Sequence, residues 1–119
     1  AAEAELVKYA HNVYGVLRII WANQLYDISE KLNIDYEKVK EGFVASEFIG
    51  PGMLRYMTIF HDGNKRGVGG PCFPKDLQSF IEFCKSIGID VELPLAARRA
   101  NLRILKNQGL TEGEAEKIL

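Results

Sequence analysis

The sequence predicts an all-α domain built on one long N-terminal helix, with a long glycine-rich loop set among shorter helices. Three observations carry this reading. Residues 1–32 place apolar side chains at Leu6, Ala10, Val13, Leu17, Trp21, Leu25, Ile28 and Leu32, three or four positions apart, which is helical spacing. The same spacing returns at Leu77, Phe80, Ile81 and Cys84, and again through Ala97, Ala100 and Leu105. No stretch alternates apolar and polar residues as a half-buried strand does, and there is no internal repeat.

The first helix runs over residues 1–32, about 45 Å at 1.5 Å per residue. It carries a second apolar set, Tyr9, Val16, Ile19, Ile20 and Tyr26, off the main stripe. A helix apolar on more than one face needs cover on more than one side. In a small domain a second copy of the chain is the expected cover. Asn33 suits a left-handed helix end, and Asp35 suits the N-cap of a short helix over 36–46. From Glu47 to Pro71 the chain holds glycines at 50, 52, 63, 67, 69 and 70 together with Pro51 and Pro71. It reads as a long irregular segment with one turn near Met53–Ile59, and a loop of that length is usually functional. Residues 74–87 form the next helix, stopped by Gly88, and Pro94 opens another that ends near Gly109. Thr111-Glu112-Gly113-Glu114 is a capping box opening a last helix.

The chain has 119 residues, 47% of them hydrophobic and 26% charged, which is one globular domain over 1–119. A formal net charge of −1 points to neither nucleic acid nor an anionic membrane as partner. The apolar run from Val16 to Leu25 is broken by Arg18, Asn23 and Gln24, so it does not read as a membrane span. Cys72 and Cys84 make neither a disulfide framework nor a zinc site, and read as free thiols in a reducing, cytoplasmic setting. The N-terminus is rich in alanine and glutamate and does not read as a secretory leader. Both ends fall inside helical patterns, so the expectation is a domain excised from a longer protein.

The chemistry concentrates in Gly67-Val68-Gly69-Gly70-Pro71-Cys72-Phe73-Pro74-Lys75-Asp76. Glycines allow positive φ and close approach of a ligand, and Pro74 suits a first helical turn. Cys72 thus stands at a helix N-terminus, where N–H groups favour an anion; it is either a thiolate nucleophile or a small buried hydrophobe, although the glycines, proline and charges beside it make a poor core setting. Cys84, on the apolar stripe of its helix, reads as core. Asp76 lies one helical turn after Cys72. It either complements the helix dipole or orients a water beside the thiolate. Lys8 and Asn12 share a face of the first helix, with Gly15 clearing space on it. They are either a solvated polar stripe or a site for a developing oxyanion. His11 and His61 lack partners at metal-ligand spacing, so no metal is expected. His61–Arg66 reads as a turn with donors, by default solvated. The Gly67–Gly70 run follows no strand and is not a dinucleotide fingerprint.

Gly-Val-Gly-Gly-Pro-Cys-Phe-Pro-Lys-Asp at 67–76 resembles the active-site segment of the UDP-glucose/GDP-mannose dehydrogenase family. Ala4-Glu5-Leu6-Val7-Lys8-Tyr9-Ala10-His11-Asn12 is similar to the opening of that family's central helix, in the expected order and separation. The resemblance covers nearly the whole chain. It implies a central helical domain between an NAD-binding and a nucleotide-sugar-binding domain, and a homodimer through the long helix. The implied reaction oxidises a UDP- or GDP-linked hexose at C6 to a carboxylate in two steps with two NAD. By resemblance, Cys72 attacks the aldehyde, and the thiohemiacetal is oxidised to a thioester that water hydrolyses. Lys8 and Asn12 bind the sugar and the oxyanion, Asp76 positions water, Gly69 lies against substrate and Lys75 approaches the cofactor. NAD itself would be held mainly by a domain outside this chain, and the 119 residues alone are expected to be inactive. The alternatives are a non-catalytic helical dimerisation module and, more remotely, a cysteine hydrolase using His11 or His61.

Overall fold

The computed structural model describes residues 1–61 and 63–118. Among these residues five α-helices follow one another: α1 (Ala2–Leu32), α2 (Tyr36–Ala45), α3 (Phe73–Ser86), α4 (Glu92–Asn107) and α5 (Glu112–Ile118). A 3-10 turn, Pro51–Tyr56, lies between α2 and α3. Among the described residues the only strand-like pairing is one antiparallel bridge between His61 and Lys65. The all-α expectation and the long first helix therefore hold.

Three helix ends share one device. Asn33, Gly88 and Gly109 all have positive φ, at 55°, 76° and 74°. After each, the next N–H reaches back five residues: Ile34 to the Ser29 carbonyl, Ile89 to Cys84 and Leu110 to Leu105, at 2.8–3.0 Å. These bonds satisfy carbonyls that the ended helix leaves without partners. At the starts, the Asp35 carboxylate accepts from the Glu37 N–H at 2.9 Å. Thr111 and Glu114 exchange reciprocal side-chain-to-backbone bonds, each at 3.2 Å, as the capping box requires. Helix α4 begins at Glu92 rather than at Pro94, because the Asp90 carboxylate accepts from the Glu92 N–H at 3.2 Å. Pro94 still sits in the first turn, where its missing N–H costs nothing.

Helix α1 is the spine and packs most extensively on α3. Its N-terminal half joins a core of Val13, Val16, Val68, Leu77, Ile81 and Ala97. Its C-terminal half joins a second core of Ala22, Tyr36, Met53, Met57 and Ile59. A third cluster, Leu105, Leu110 and Ala115, seats α5 on α4.

The facing of α1 differs from the expectation. Leu6, Ala10, Trp21, Ile28 and Leu32 of the expected stripe are exposed, whereas Val16, Ile19, Ile20, Tyr9 and Tyr26 turn inward. The buried face is built on small residues, Gly15, Ala22 and Ser29, seven apart. Small side chains let neighbouring elements approach closely, and counting large apolar residues overlooks them. The outer face instead carries Val7, Tyr14, Trp21 and Ile28, also seven apart, at 67, 56, 49 and 42% exposure.

Candidate active site

The glycine turn is held along its length. Gly67 has φ 112°, and a Cβ there would stand 3.0 Å from Asn101 Oδ1 and 3.1 Å from Leu105 Cδ2. The next residue, Val68, is buried, and its N–H donates to Asn101 Oδ1 at 2.6 Å while its carbonyl accepts from Asn101 Nδ2 at 3.0 Å. Gly70, with φ 76°, donates its N–H to the Ala115 carbonyl at 3.2 Å. The chain then turns through Pro71 into Cys72, the N-cap residue of α3, with φ −101° and ψ −53°. Pro74 lies in the first turn as expected, and the Asp76 N–H donates to the Cys72 carbonyl at 2.9 Å. Cys72 is exposed and Cys84 buried, both as free thiols.

Helix α1 meets this turn from the other side. Asn12 Nδ2 donates to Asp76 Oδ2 across the α1–α3 contact, with both residues half-buried. One turn further along α1, Gly15 lies under the Phe73 ring, and a Cβ there would stand 2.8 Å from Phe73 Cζ. Tyr9 stacks on Phe83 and tilts against Phe80, with ring centroids 6.3 and 5.7 Å apart. Lys8 is exposed one turn before Asn12 on the same face of α1. Asn12 and Asp76 thus come into direct contact, one helical turn beyond Cys72. An amide, a carboxylate and an exposed thiol beside a helix N-terminus form a set able to hold a nucleophile and orient a water.

Two other sequence candidates stand apart from that contact. Lys75 is exposed and, with Pro74, Gln78, Glu82, Glu112 and Glu116, borders a cavity of about 680 Å³ between α3 and α5. Cys72, Asn12 and Lys8 are not among its lining residues. Gly69 is half-exposed in the turn.

Arg66 corrects the solvated-turn reading of residues 61–66, of which Asp62 lies outside the described residues. Its guanidinium donates to Asn23 Oδ1 and Asp27 Oδ1, both at 2.8 Å, and lies 5.1 Å from the Tyr26 ring centroid. Its N–H donates to Gln108 Oε1 at 2.9 Å, and its carbonyl accepts from Gln108 Nε2. Arg66, Asn23, Asn101 and Gln108 are the residues that sequence reasoning missed. The available signal was polar amides inside helices: Asn23 and Asn101 are 1% and 6% exposed. A buried amide needs partners: Asn101 finds loop backbone at Val68, and Asn23 finds the Arg66 guanidinium and the Ile19 carbonyl.

Among the described residues no three His, Cys, Asp or Glu side chains gather as a metal site. Among the described residues no helix is long and apolar enough to cross a membrane.

The model of the UDP-glucose/GDP-mannose dehydrogenase family, central domain, matches residues 2–103. The UDP-glucose 6-dehydrogenase YwqF of Bacillus subtilis is 31% identical over 98 residues, 82% of this chain and 20% of the relative. The UDP-glucose 6-dehydrogenase AglM of Haloferax volcanii is 31% identical over 118 residues, 99% of this chain and 23% of the relative. A UDP-glucose 6-dehydrogenase of Pseudomonas aeruginosa is 30% identical over 101 residues, 85% of this chain and 20% of the relative. The chain spans about a fifth of the length of these relatives. It belongs to the UDP-glucose/GDP-mannose dehydrogenase family, as a central domain.

Proposed function

We propose that this chain is the nucleophile-bearing, dimer-forming domain of an NAD-dependent nucleotide-sugar 6-dehydrogenase, with UDP-glucose as the favoured substrate over GDP-mannose. The observation that carries the reading is the Asn12–Asp76 hydrogen bond, which joins the α1 segment and the cysteine-bearing segment of α3 at one place. UDP-glucose is favoured because the relatives described above are UDP-glucose 6-dehydrogenases.

In this mechanism the sugar C6 alcohol has first been oxidised to an aldehyde. The Cys72 thiolate adds to the aldehyde carbon, and the new oxyanion is met by the Lys8 ammonium and an Asn12 N–H. Loss of hydride from C6 of this thiohemiacetal leaves a thioester on Cys72. Asp76 orients the water that attacks the thioester carbonyl, releasing the carboxylate product and regenerating the thiol. Gly69, with no side chain, lets the sugar approach the turn.

NAD supplies only the hydride acceptor. In this reading its main binding site lies in protein outside this chain, with Lys75 on the approach. The homodimer forms through the outer face of α1, where the row of Val7, Tyr14, Trp21 and Ile28 stands exposed. It runs beside an open groove of about 430 Å³ bordered by Leu17, Trp21, Phe43 and Phe48. Free thiols suit a reducing, cytoplasmic setting.

The test is Cys72→Ser in the full-length protein that contains this chain. The expected result is loss of uronic acid formation from UDP-glucose by several orders of magnitude. An undiminished uronic acid yield overturns the assignment.

A further inference from the structure

We propose that Asn101 of α4 and Gln108, the C-cap residue of that helix, are positioning residues for the reactive thiol. Their side-chain amides clamp alternate residues of the segment entering the glycine turn, and so set where Gly69 and Cys72 stand. The proposal rests on the reading of Cys72 as the nucleophile.

Each amide engages the N–H and the C=O of a single residue. Asn101 does so with Val68, at 2.6 and 3.0 Å. Gln108 does so with Arg66, and is itself steadied by donating to the Ile104 carbonyl at 3.2 Å. A two-point contact of this kind reproduces the pairing of an antiparallel ladder and fixes rotation as well as position. Asn101 lies within α4, and Gln108 is the C-cap residue that follows it, so one element and its end supply both amides. Arg66 and Val68 are two apart, so in an extended segment they present the same edge. Helix α4 thereby does for this segment what a neighbouring strand would do.

The fit is close. Between the two clamped residues, Gly67 runs so near α4 that a Cβ would meet Asn101, Leu105 and Ile104 within 3.3 Å. Beyond the clamp, the Gly70 N–H is tied to Ala115 of α5. The Cys72 side chain makes no capping hydrogen bond of its own. Its position is therefore inherited from the backbone, and the nearest side-chain fixings upstream are these two amides. An apolar residue at 101 would pack with Ala97 and Leu105 but would leave the buried Val68 N–H and C=O without partners.

The test uses Asn101→Leu, close in size, in the full-length protein. A misplacement of about 1 Å in a reacting group costs on the order of 10²-fold in rate, so kcat for aldehyde oxidation should fall at least about tenfold. KM should stay within about threefold, because Lys8 and Asn12 on α1 are untouched. Alkylation of Cys72 by iodoacetamide, read by mass spectrometry against buried Cys84, should change at least about threefold. A folded Asn101→Leu variant with wild-type kcat and wild-type Cys72 alkylation overturns the proposal. If that variant does not fold, Gln108→Leu at the half-buried end of the clamp takes its place. A kcat loss of about threefold or more there supports the proposal, and an unchanged kcat overturns it. Should Cys72→Ser leave activity intact, the reading of the nucleophile has failed separately. Cys72 alkylation in Asn101→Leu then decides the clamp alone: a changed rate supports it and an unchanged rate overturns it.

Discussion

Substituting Gly15 by alanine tests the close approach of α1 to the start of α3. A Cβ at this position would stand 2.8 Å from Phe73 Cζ and 3.1 Å from Cε2. Relaxed carbon–carbon contacts lie at about 3.5–4.0 Å, so the ring or the helix must give way by roughly 1 Å. Forcing such an overpacked contact costs about 1–3 kcal/mol. Replacing glycine by alanine inside a helix is worth about 0.5–1 kcal/mol in the other direction. The net expectation is a destabilisation of up to about 2.5 kcal/mol, at the low end of the cost of a lost core side chain. The decisive measurement is a double-mutant cycle by urea denaturation followed by circular dichroism, pairing Gly15→Ala with Phe73→Leu. Leucine lacks the ring atoms that a new Cβ would strike, so in that background Gly15→Ala should turn stabilising by about 0.5–1 kcal/mol. The coupling energy should therefore be about 1–3 kcal/mol. A Gly15→Ala effect of the same sign and size in both backgrounds would refute the steric account. Phe73 adjoins Cys72, so the same contact also links α1 to the placement of the thiol.

Two further outcomes follow from the rest of the molecule. Burial, followed by the nearby Glu37 carboxylate, raises the Tyr36 pKa from 10.0 to about 12. Its contribution is complete below pH 10, where folded and unfolded chains are both protonated, and is lost as pH rises from 10 to 12. The loss should reach about 2–3 kcal/mol in urea titrations across that window. In Tyr36→Phe this dependence should flatten, and the variant should lose about 1–2 kcal/mol at neutral pH because the Tyr36 hydroxyl donates to the Met57 carbonyl at 2.9 Å. A Tyr36→Phe protein with unchanged alkaline sensitivity would contradict this origin. On the outer face of α1, Trp21→Glu places a charge in the middle of the exposed apolar row and should shift sedimentation equilibrium from dimer to monomer. A wild-type protein that sediments as a monomer at micromolar concentration removes the basis for that interface.

The fold was legible wherever the chain signals itself locally. Asp35, Asn33, Gly88, Gly109 and the Thr111–Glu114 box mark helix ends through hydrogen bonds within a few residues, and the structure places ends at all of them. The facing of α1 was misread because Gly15, Ala22 and Ser29 attract no weight as hydrophobes, yet permit the closest packing. Among site residues, Asn12 and Asp76 were nominated from separate motifs, and their contact is a tertiary fact that neither motif contains. The loop anchors were illegible for a related reason. Asn23 and Asn101 lie inside helices and Gln108 caps the end of one, and their partners lie 43, 33 and 42 positions away. No local spacing rule reaches that far.

The geometry around Asn12 bears on how the carboxylate serves the proposed reaction. A primary amide has two N–H donors, and one of them is given to Asp76 Oδ2. The other remains for an oxyanion, so Asn12 can orient the carboxylate and meet the developing charge together. The same hydrogen bond holds one Asp76 oxygen and leaves the second for water. A carboxylate one turn from a thiolate opposes its charge, and that opposition has to be offset. Two features stand on the other side: the N-terminal N–H groups of α3 and the Lys8 ammonium one turn from Asn12 on α1. The ammonium and the amide arrive on α1, and the thiol and the carboxylate on α3. The proposed chemistry therefore requires the two helices to stay in register. Gly15 under the Phe73 ring sets how closely they approach, and the amides of α4 hold the turn that begins α3. In the proposed mechanism a change at either support, without touching a reacting atom, alters the distance between the attacking thiolate and the Lys8 and Asn12 donors that meet the new oxyanion.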